Sequence, residues 1–230
     1  MFELDMLIQI DLRENDLSNE FVVAGGASFS MNALSVLHLS YNRITGIIRG
    51  GLLSNLSSLN LGGNELEGVL KITEQNFPLN INTLYLWRNK LKGIVHGGLL
   101  DNLSILYLDY NEFTGELLIN ENDFPTNIGR LELRGNMLTS FRNGKVLTNL
   151  RMLVLAANEF SGDLVLNKED FPDSLAILNL NRNTDLTSIH LEDDAVPNLL
   201  KLHVLWNANI VVSKELCARE LEGTKKNCSN

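Results

Sequence analysis

The chain has 230 residues, 44% of them hydrophobic, and a formal net charge of −9. That apolar content is in the ordinary globular range and excludes a disordered chain, while a field of that sign repels phosphate backbones and excludes nucleic acid as a partner. No run of 18 apolar residues is present, so no membrane-inserted helix is expected.

The start, Met1 to Ile10, carries acids rather than a basic stretch followed by an apolar block. It is not a signal peptide. The protein is then either not secreted or carries its original N-terminus upstream, and its compartment stays open.

From Leu7 onward one frame recurs, leucine-x-x-leucine-x-leucine-x-x-asparagine. Its members are Leu7-Ile10-Leu12-Asn15, Leu34-Leu37-Leu39-Asn42, Leu56-Leu59-Leu61-Asn64 and Ile81-Leu84-Leu86-Asn89. Leu103-Leu106-Leu108-Asn111, Ile128-Leu131-Leu133-Asn136 and Leu150-Leu153-Leu155-Asn158 follow, then Leu175-Leu178-Leu180-Asn183 and Leu199-Leu202-Val204-Asn207. The gaps between asparagines are 27, 22, 25, 22, 25, 22, 25 and 24 residues. Such a period marks a solenoid. Each alternating pair, such as Leu59 and Leu61, is a short strand with one buried face. One strand cannot bury that face alone, so successive strands are expected to stack into a parallel sheet over a continuous core.

A second motif follows the asparagine: Ile44-Thr45-Gly46-Ile47, Leu66-Glu67-Gly68-Val69, Leu91-Lys92-Gly93-Ile94, Phe113-Thr114-Gly115-Glu116 and Phe160-Ser161-Gly162-Asp163. Glycine here permits a turn with positive φ. The alternation of gaps is a higher-order repeat, since Asn42, Asn89, Asn136 and Asn183 stand 47 apart. Duplication of a two-repeat block is its simplest origin. The long units carry Phe77-Pro78, Phe124-Pro125 and Phe171-Pro172, and these phenylalanines are expected in the core. Units of 22 and 25 residues leave no room for a full helix, so turns and brief 3₁₀ pieces should make the outer face.

At the C-terminus Ser213, Leu216, Cys217, Leu221 and Gly223 form a helical pattern that would cap the last coil. Cys217 and Cys228 are either a disulfide or two thiols. The frame begins almost at once at the N-terminus, so the first strand edge is expected to be truncated or covered by a partner.

The frames and the glycine segment resemble the leucine-rich repeat family over about residues 4–212. The glycine segment is similar to the plant-specific subtype and to repeats of single-celled eukaryotes, without the proline usual in the plant pattern. The resemblance implies a leucine-rich repeat solenoid, α/β by family, with a curved single sheet of about nine short parallel strands. Residues 1–212 would be the solenoid and 213–230 its cap. It also implies that the nine asparagines bond to backbone groups of neighbouring turns as a ladder. Orphaning those groups by Asn111→Leu should cost roughly 1–3 kcal/mol.

No catalytic signature stands out. His38, His96, His190 and His203 lack metal-ligand spacing; Gly144-Lys145 lacks the upstream glycine of a phosphate loop, and no serine lies in a Gly-x-Ser-x-Gly context. Neither a cofactor nor a metal is expected. The sequons at Asn55, Asn102 and Asn227 say little about secretion.

Residues flanking the buried leucines project from the concave sheet. In order they are Gln9, Asp11, Arg13, His38, Asn60, Tyr85, Trp87, Tyr107, Asp109 and Tyr110, then Arg130, Glu132, Arg134, Val154, Asn179, Asn181, Lys201, His203 and Trp206. Aromatic residues are only 7% of the chain, yet Tyr85, Trp87, Tyr107 and Tyr110 gather in adjacent repeats beside Arg130 and Arg134. Tyr, Trp and Arg are the usual energetic centres of interfaces. Nine strands about 4.8 Å apart give a face roughly 40 Å long. The candidate partner-binding residues are therefore Tyr85, Trp87, Tyr107, Asp109, Tyr110, Arg130, Glu132 and Arg134. The expected function is non-catalytic binding of another protein. The alternatives are a structural subunit of a larger assembly, or a fragment of a ligand-sensing ectodomain.

Overall fold

The computed structural model describes residues 6–23, 33–48, 50–96, 98–120, 123–192, 195–204 and 211–212. Each of the nine frames supplies a three-residue strand: β1 Gln9–Asp11, β3 Val36–His38, β5 Ser58–Asn60, β7 Thr83–Tyr85, β9 Ile105–Tyr107, β11 Arg130–Glu132, β13 Met152–Val154, β15 Ile177–Asn179 and β17 Lys201–His203. Between them lie longer strands from the glycine segments. These are β2 Ser18–Val22, β4 Arg43–Ile48, β6 Glu67–Lys71, β8 Lys90–Val95, β10 Thr114–Leu118, β12 Met137–Arg142, β14 Ser161–Leu166, β16 Asp185–Leu191 and β18 Val211–Val212. The protein is a parallel β-solenoid. Its outer turns include the 3₁₀ pieces Gly50–Leu52 and Gly144–Val146.

The chain forms two compact units, Met1–Asn111 with Glu121–Pro125, and Glu112–Asn120 with Thr126–Asn230. In the first unit the frame strands pair in parallel in the order β1-β3-β5-β7-β9. In the second the order is β11-β13-β15-β17. From β3 onward the central leucine of each frame strand points inward, and Leu59, Leu84, Leu106, Leu131, Leu153, Leu178 and Leu202 are all 0% exposed; in β1 the central Ile10 is half-buried. The matched Phe77, Phe124 and Phe171 are buried as expected.

The asparagine ladder is present. Asn64 Nδ2 donates to Leu39 O (3.0 Å) in the preceding coil and Leu61 O (3.1 Å) in its own, while its Oδ1 accepts the Ile44 N–H (2.9 Å). Asn42, Asn89, Asn111, Asn158 and Asn183 repeat this pattern. A short amide thus satisfies one donor and two acceptors where the chain turns, which buried backbone requires. Asn15, in the first coil, is exposed and donates only within its own turn, to Leu12 O and Arg13 O.

The 47-residue block is a structural unit as well as a sequence repeat. Long-unit strands pair with the short-unit strand that follows them, as β2-β4, β6-β8, β10-β12 and β14-β16, the last extended by β18. In each pair the register shifts by one residue beside Asn19, Gly68, Gly115 or Gly162 of the long unit, each at a φ of 62–66°, and the extra residue lies on the short-unit strand, at Thr45, Lys92, Thr139 or Thr187. Gly46 and Gly93, at the same place in short units, do not adopt positive φ, and Ser140 replaces glycine in the next. The expectation that this glycine serves a left-handed turn therefore holds for long units only. In short units the extra residue stands just before this position.

Asn207, Trp206 and the candidate cap over 213–230 with its two cysteines lie outside the described residues.

Candidate functional site

The pleat puts alternate residues of each frame strand on the outward face. In the first unit this face carries Gln9 and Asp11, Val36 and His38, Ser58 and Asn60, Thr83 and Tyr85, and Ile105 and Tyr107, strand by strand. The residues just beyond the strands add a third column: Arg13, Ser40, Gly62, Trp87 and Asp109. The next residue in each coil is left-handed, at Glu14, Tyr41, Gly63, Arg88 and Tyr110, with φ from 51 to 65°.

Of the predicted aromatics, Tyr85 and Tyr107 pack on each other, while Trp87 meets Tyr41 and Tyr110 meets Arg88. Tyr85 and Tyr107 are partners in register on β7 and β9. Their rings stack at 4.7 Å between centroids with only 5° between planes. Parallel strands carry side chains about 4.8 Å apart, which is the spacing of two stacked rings. Trp87 meets Tyr41 edge to face, 5.2 Å between centroids and 67° between planes. The Arg88 guanidinium lies 5.7 Å from the centre of the Tyr110 ring, within cation–π range. Tyr41 and Tyr110 are 47% and 43% exposed, and Tyr85, Trp87, Tyr107 and Asp109 are half-buried. At the far edge of this face Asp11 accepts from the Arg13 guanidinium at 2.7 Å. Those bonds from Arg13 hold the Asp11 carboxyl at about 2.

The remaining predicted residues lie in the second unit. Arg130 and Glu132 are on one face of β11, with Arg130 Nε donating to Glu132 Oε1 at 2.7 Å, and Arg134 follows the strand half-buried. Beside them stand Met152 and Val154, then Ile177 and Asn179. Val154 occupies an outward strand position but is only 5% exposed.

Sequence reasoning singled out neither Tyr41 nor the outward residues Val36, Thr83, Ile105, Met152 and Ile177. The alternation that located Tyr85 and Tyr107 would have located the strand residues. Tyr41 joins the cluster through a contact across two coils, which no local pattern signals.

Residues 33–54 match the model of the Leucine Rich Repeat family. No curated protein matches the chain in sequence. Among solved structures, the leucine-rich repeat domain of APL1B is 18% identical with a TM-score of 0.61, covering 97% of this chain and 67% of that one. A plant ice-binding protein is 22% identical with a TM-score of 0.52, covering 90% of this chain and 66% of that one. The LRIM1/APL1C complex is matched at 19% identity and a TM-score of 0.57, over 90% of this chain and 38% of that one. The chain thus spans about two thirds of the first two structures and less of the third.

Proposed function

We propose that this chain, a leucine-rich repeat solenoid, is a non-catalytic binding module that engages another protein through the outward frame-sheet face of its first unit. The fold is generally a protein-interaction module, and the neighbour LRIM1/APL1C was solved as a complex. One observation carries the assignment to this face: four aromatic residues, Tyr41, Tyr85, Trp87 and Tyr107, are fixed by ring contacts while part of each remains open. Aromatic side chains already held in one rotamer lose little entropy on binding and supply large contact area. The face is open, which suits a macromolecule better than an enclosed small ligand. Asp109 and Tyr110, with Arg88 against its ring, would form the rim. Arg130, Glu132 and Arg134 offer a charged face on the second unit as an additional contact.

Capture from the native source followed by mass spectrometry would identify the partner. Its affinity is then measured against variants. Trp87→Ala or Tyr107→Ala should weaken binding by about tenfold or more, as truncation of an interface anchor does. Unchanged affinity in both would remove this face from consideration.

A further inference from the structure

We infer that Gly62 is the positioning residue of this aromatic face: its missing side chain is the seat that holds Trp87 in one orientation. The inference rests on the reading given under Proposed function and adds a residue that contacts no partner itself.

Space explains this glycine, and the backbone does not. The equivalent position in the other coils of the first unit holds Arg13, Ser40, Trp87 and Asp109, so the turn accepts ordinary side chains. Gly62 itself does not adopt positive φ. Yet a Cβ placed on it would fall 2.2, 2.5 and 2.6 Å from Trp87 Cε2, Cδ2 and Cζ2. The indole therefore lies across the bare Cα, with the middle of its ring system where a side chain would start. Trp87 comes from the following coil and reaches back over the glycine coil.

Tyr41 reaches forward from the preceding coil. A Cβ on Gly63 would stand 3.0 Å from Tyr41 Cδ1. Gly63 is left-handed, but so are Tyr41, Arg88 and Tyr110 at the same position, so the conformation alone does not demand glycine there either. The third coil thus presents no side chain at two successive positions, and the coils on either side roof it with two rings in edge-to-face contact. The floor of the seat is fixed. Gly62 N–H donates to Asn60 Oδ1 at 3.0 Å, and Gly62 O accepts from Tyr41 N at 2.9 Å. A single added methyl would tilt the indole off this floor, break its edge contact with Tyr41 and displace the ring by a distance that binding surfaces do not tolerate.

The test is Gly62→Ala in a Trp206→Phe background, where Trp87 is the sole tryptophan. Gly93→Ala is the control, since a Cβ there meets Val69 at an ordinary 3.5 Å. Gly62→Ala should red-shift Trp87 emission and diminish the near-ultraviolet dichroism of the ring pair, and Gly93→Ala should change neither. Unchanged spectra for Gly62→Ala would overturn the inference. Should Gly62→Ala fail to fold, Gly62→Ala with Trp87→Ala should fold as Trp87→Ala does, because the three nearest atoms all belong to the indole; a double variant that also fails overturns it. In the binding arm, Gly62→Ala should weaken the captured partner about tenfold, and add nothing once Trp87 is alanine. An equal loss in both backgrounds would show Gly62 acting by another route. Full affinity in both Trp87→Ala and Tyr107→Ala would sink the binding reading alone, since the spectroscopic result stands without a partner.

Discussion

Asn111→Leu tests the ladder most directly. Asn111 is 7% exposed. Its Oδ1 accepts the Leu91 N–H at 3.0 Å, and its Nδ2 donates to Leu86 O at 2.9 Å and Leu108 O at 3.1 Å. Leucine removes these three bonds, and a longer one of 3.4 Å to Asp109 O, at similar volume, leaving one backbone donor and the Leu86 and Leu108 acceptors facing an apolar side chain. Each fully orphaned group costs about 1–3 kcal/mol, and carbonyls keep some satisfaction through their ladder neighbours, so a net loss of about 3 kcal/mol follows. For a chain of this size that lowers the melting temperature by roughly 6–12 °C. Asn15→Leu is the matched control. It occupies the same frame position, but it is exposed and bonds only within its own turn. Its cost should stay below about 0.5 kcal/mol. Urea unfolding followed by circular dichroism gives both values, and the slope of each transition reports whether cooperativity has changed. Equal costs for the two variants would refute the argument, because the ladder predicts their difference and asparagine content does not.

His96 is 1% exposed and its Nδ1 accepts the Gly98 N–H at 3.1 Å. Burial pushes its pKa below 6.5, against the opposing pull of the Phe124 carbonyl, Asp101 and Asp123. The folded chain therefore refuses a proton that the unfolded chain accepts. Stability is complete above 6.5 and falls as pH drops below it. His96→Gln should flatten urea midpoints compared at pH near 7.5 and near 5; parallel losses in both proteins would reject the assignment. Ala157 holds the left-handed turn position, φ 53°, where Gly63 and Gly135 stand in other coils. An L-residue there is strained by about 1–2 kcal/mol, and glycine's entropy offsets part of that. Ala157→Gly should raise stability by about 0.5 kcal/mol, and a lowered urea midpoint would contradict it.

What the sequence disclosed about the fold was whatever depends on residues close together in the chain. Leu59 and Leu61 around Asn60 declare a strand with one buried face, and nine such frames at a fixed period declare that the strands stack. The ladder was legible for the same reason, since an asparagine at a turn needs partners that only adjacent coils can provide. Phe77, Phe124 and Phe171 could be assigned to the core because they recur at one place in the block. The pairing of β6 with β8 and the register shift between Gly68 and Val69, which makes Lys92 the extra residue of the ladder, were not legible. They depend on registering strands more than twenty residues apart, and the tetrads around Gly46 and Gly68 look alike until their backbones are compared.

The candidate site divides in the same way. Alternation placed Tyr85 and Tyr107 outward, and the spacing of parallel strands then required their rings to stack. It could not place Tyr41, nor say why Gly62 is bare. Read within its own coil, Gly62-Gly63 is a flexible turn; read against the coils before and after, it is the space two aromatic rings occupy. A glycine in a repeat has two distinct causes, a dihedral that only glycine adopts easily or a volume that a neighbour fills. Positions whose counterparts in other coils carry side chains outside the left-handed region belong to the second kind. Gly62 meets that condition, so its substitution should act through Trp87, whereas Gly68, at positive φ with no atom near its missing Cβ, should act through its own backbone.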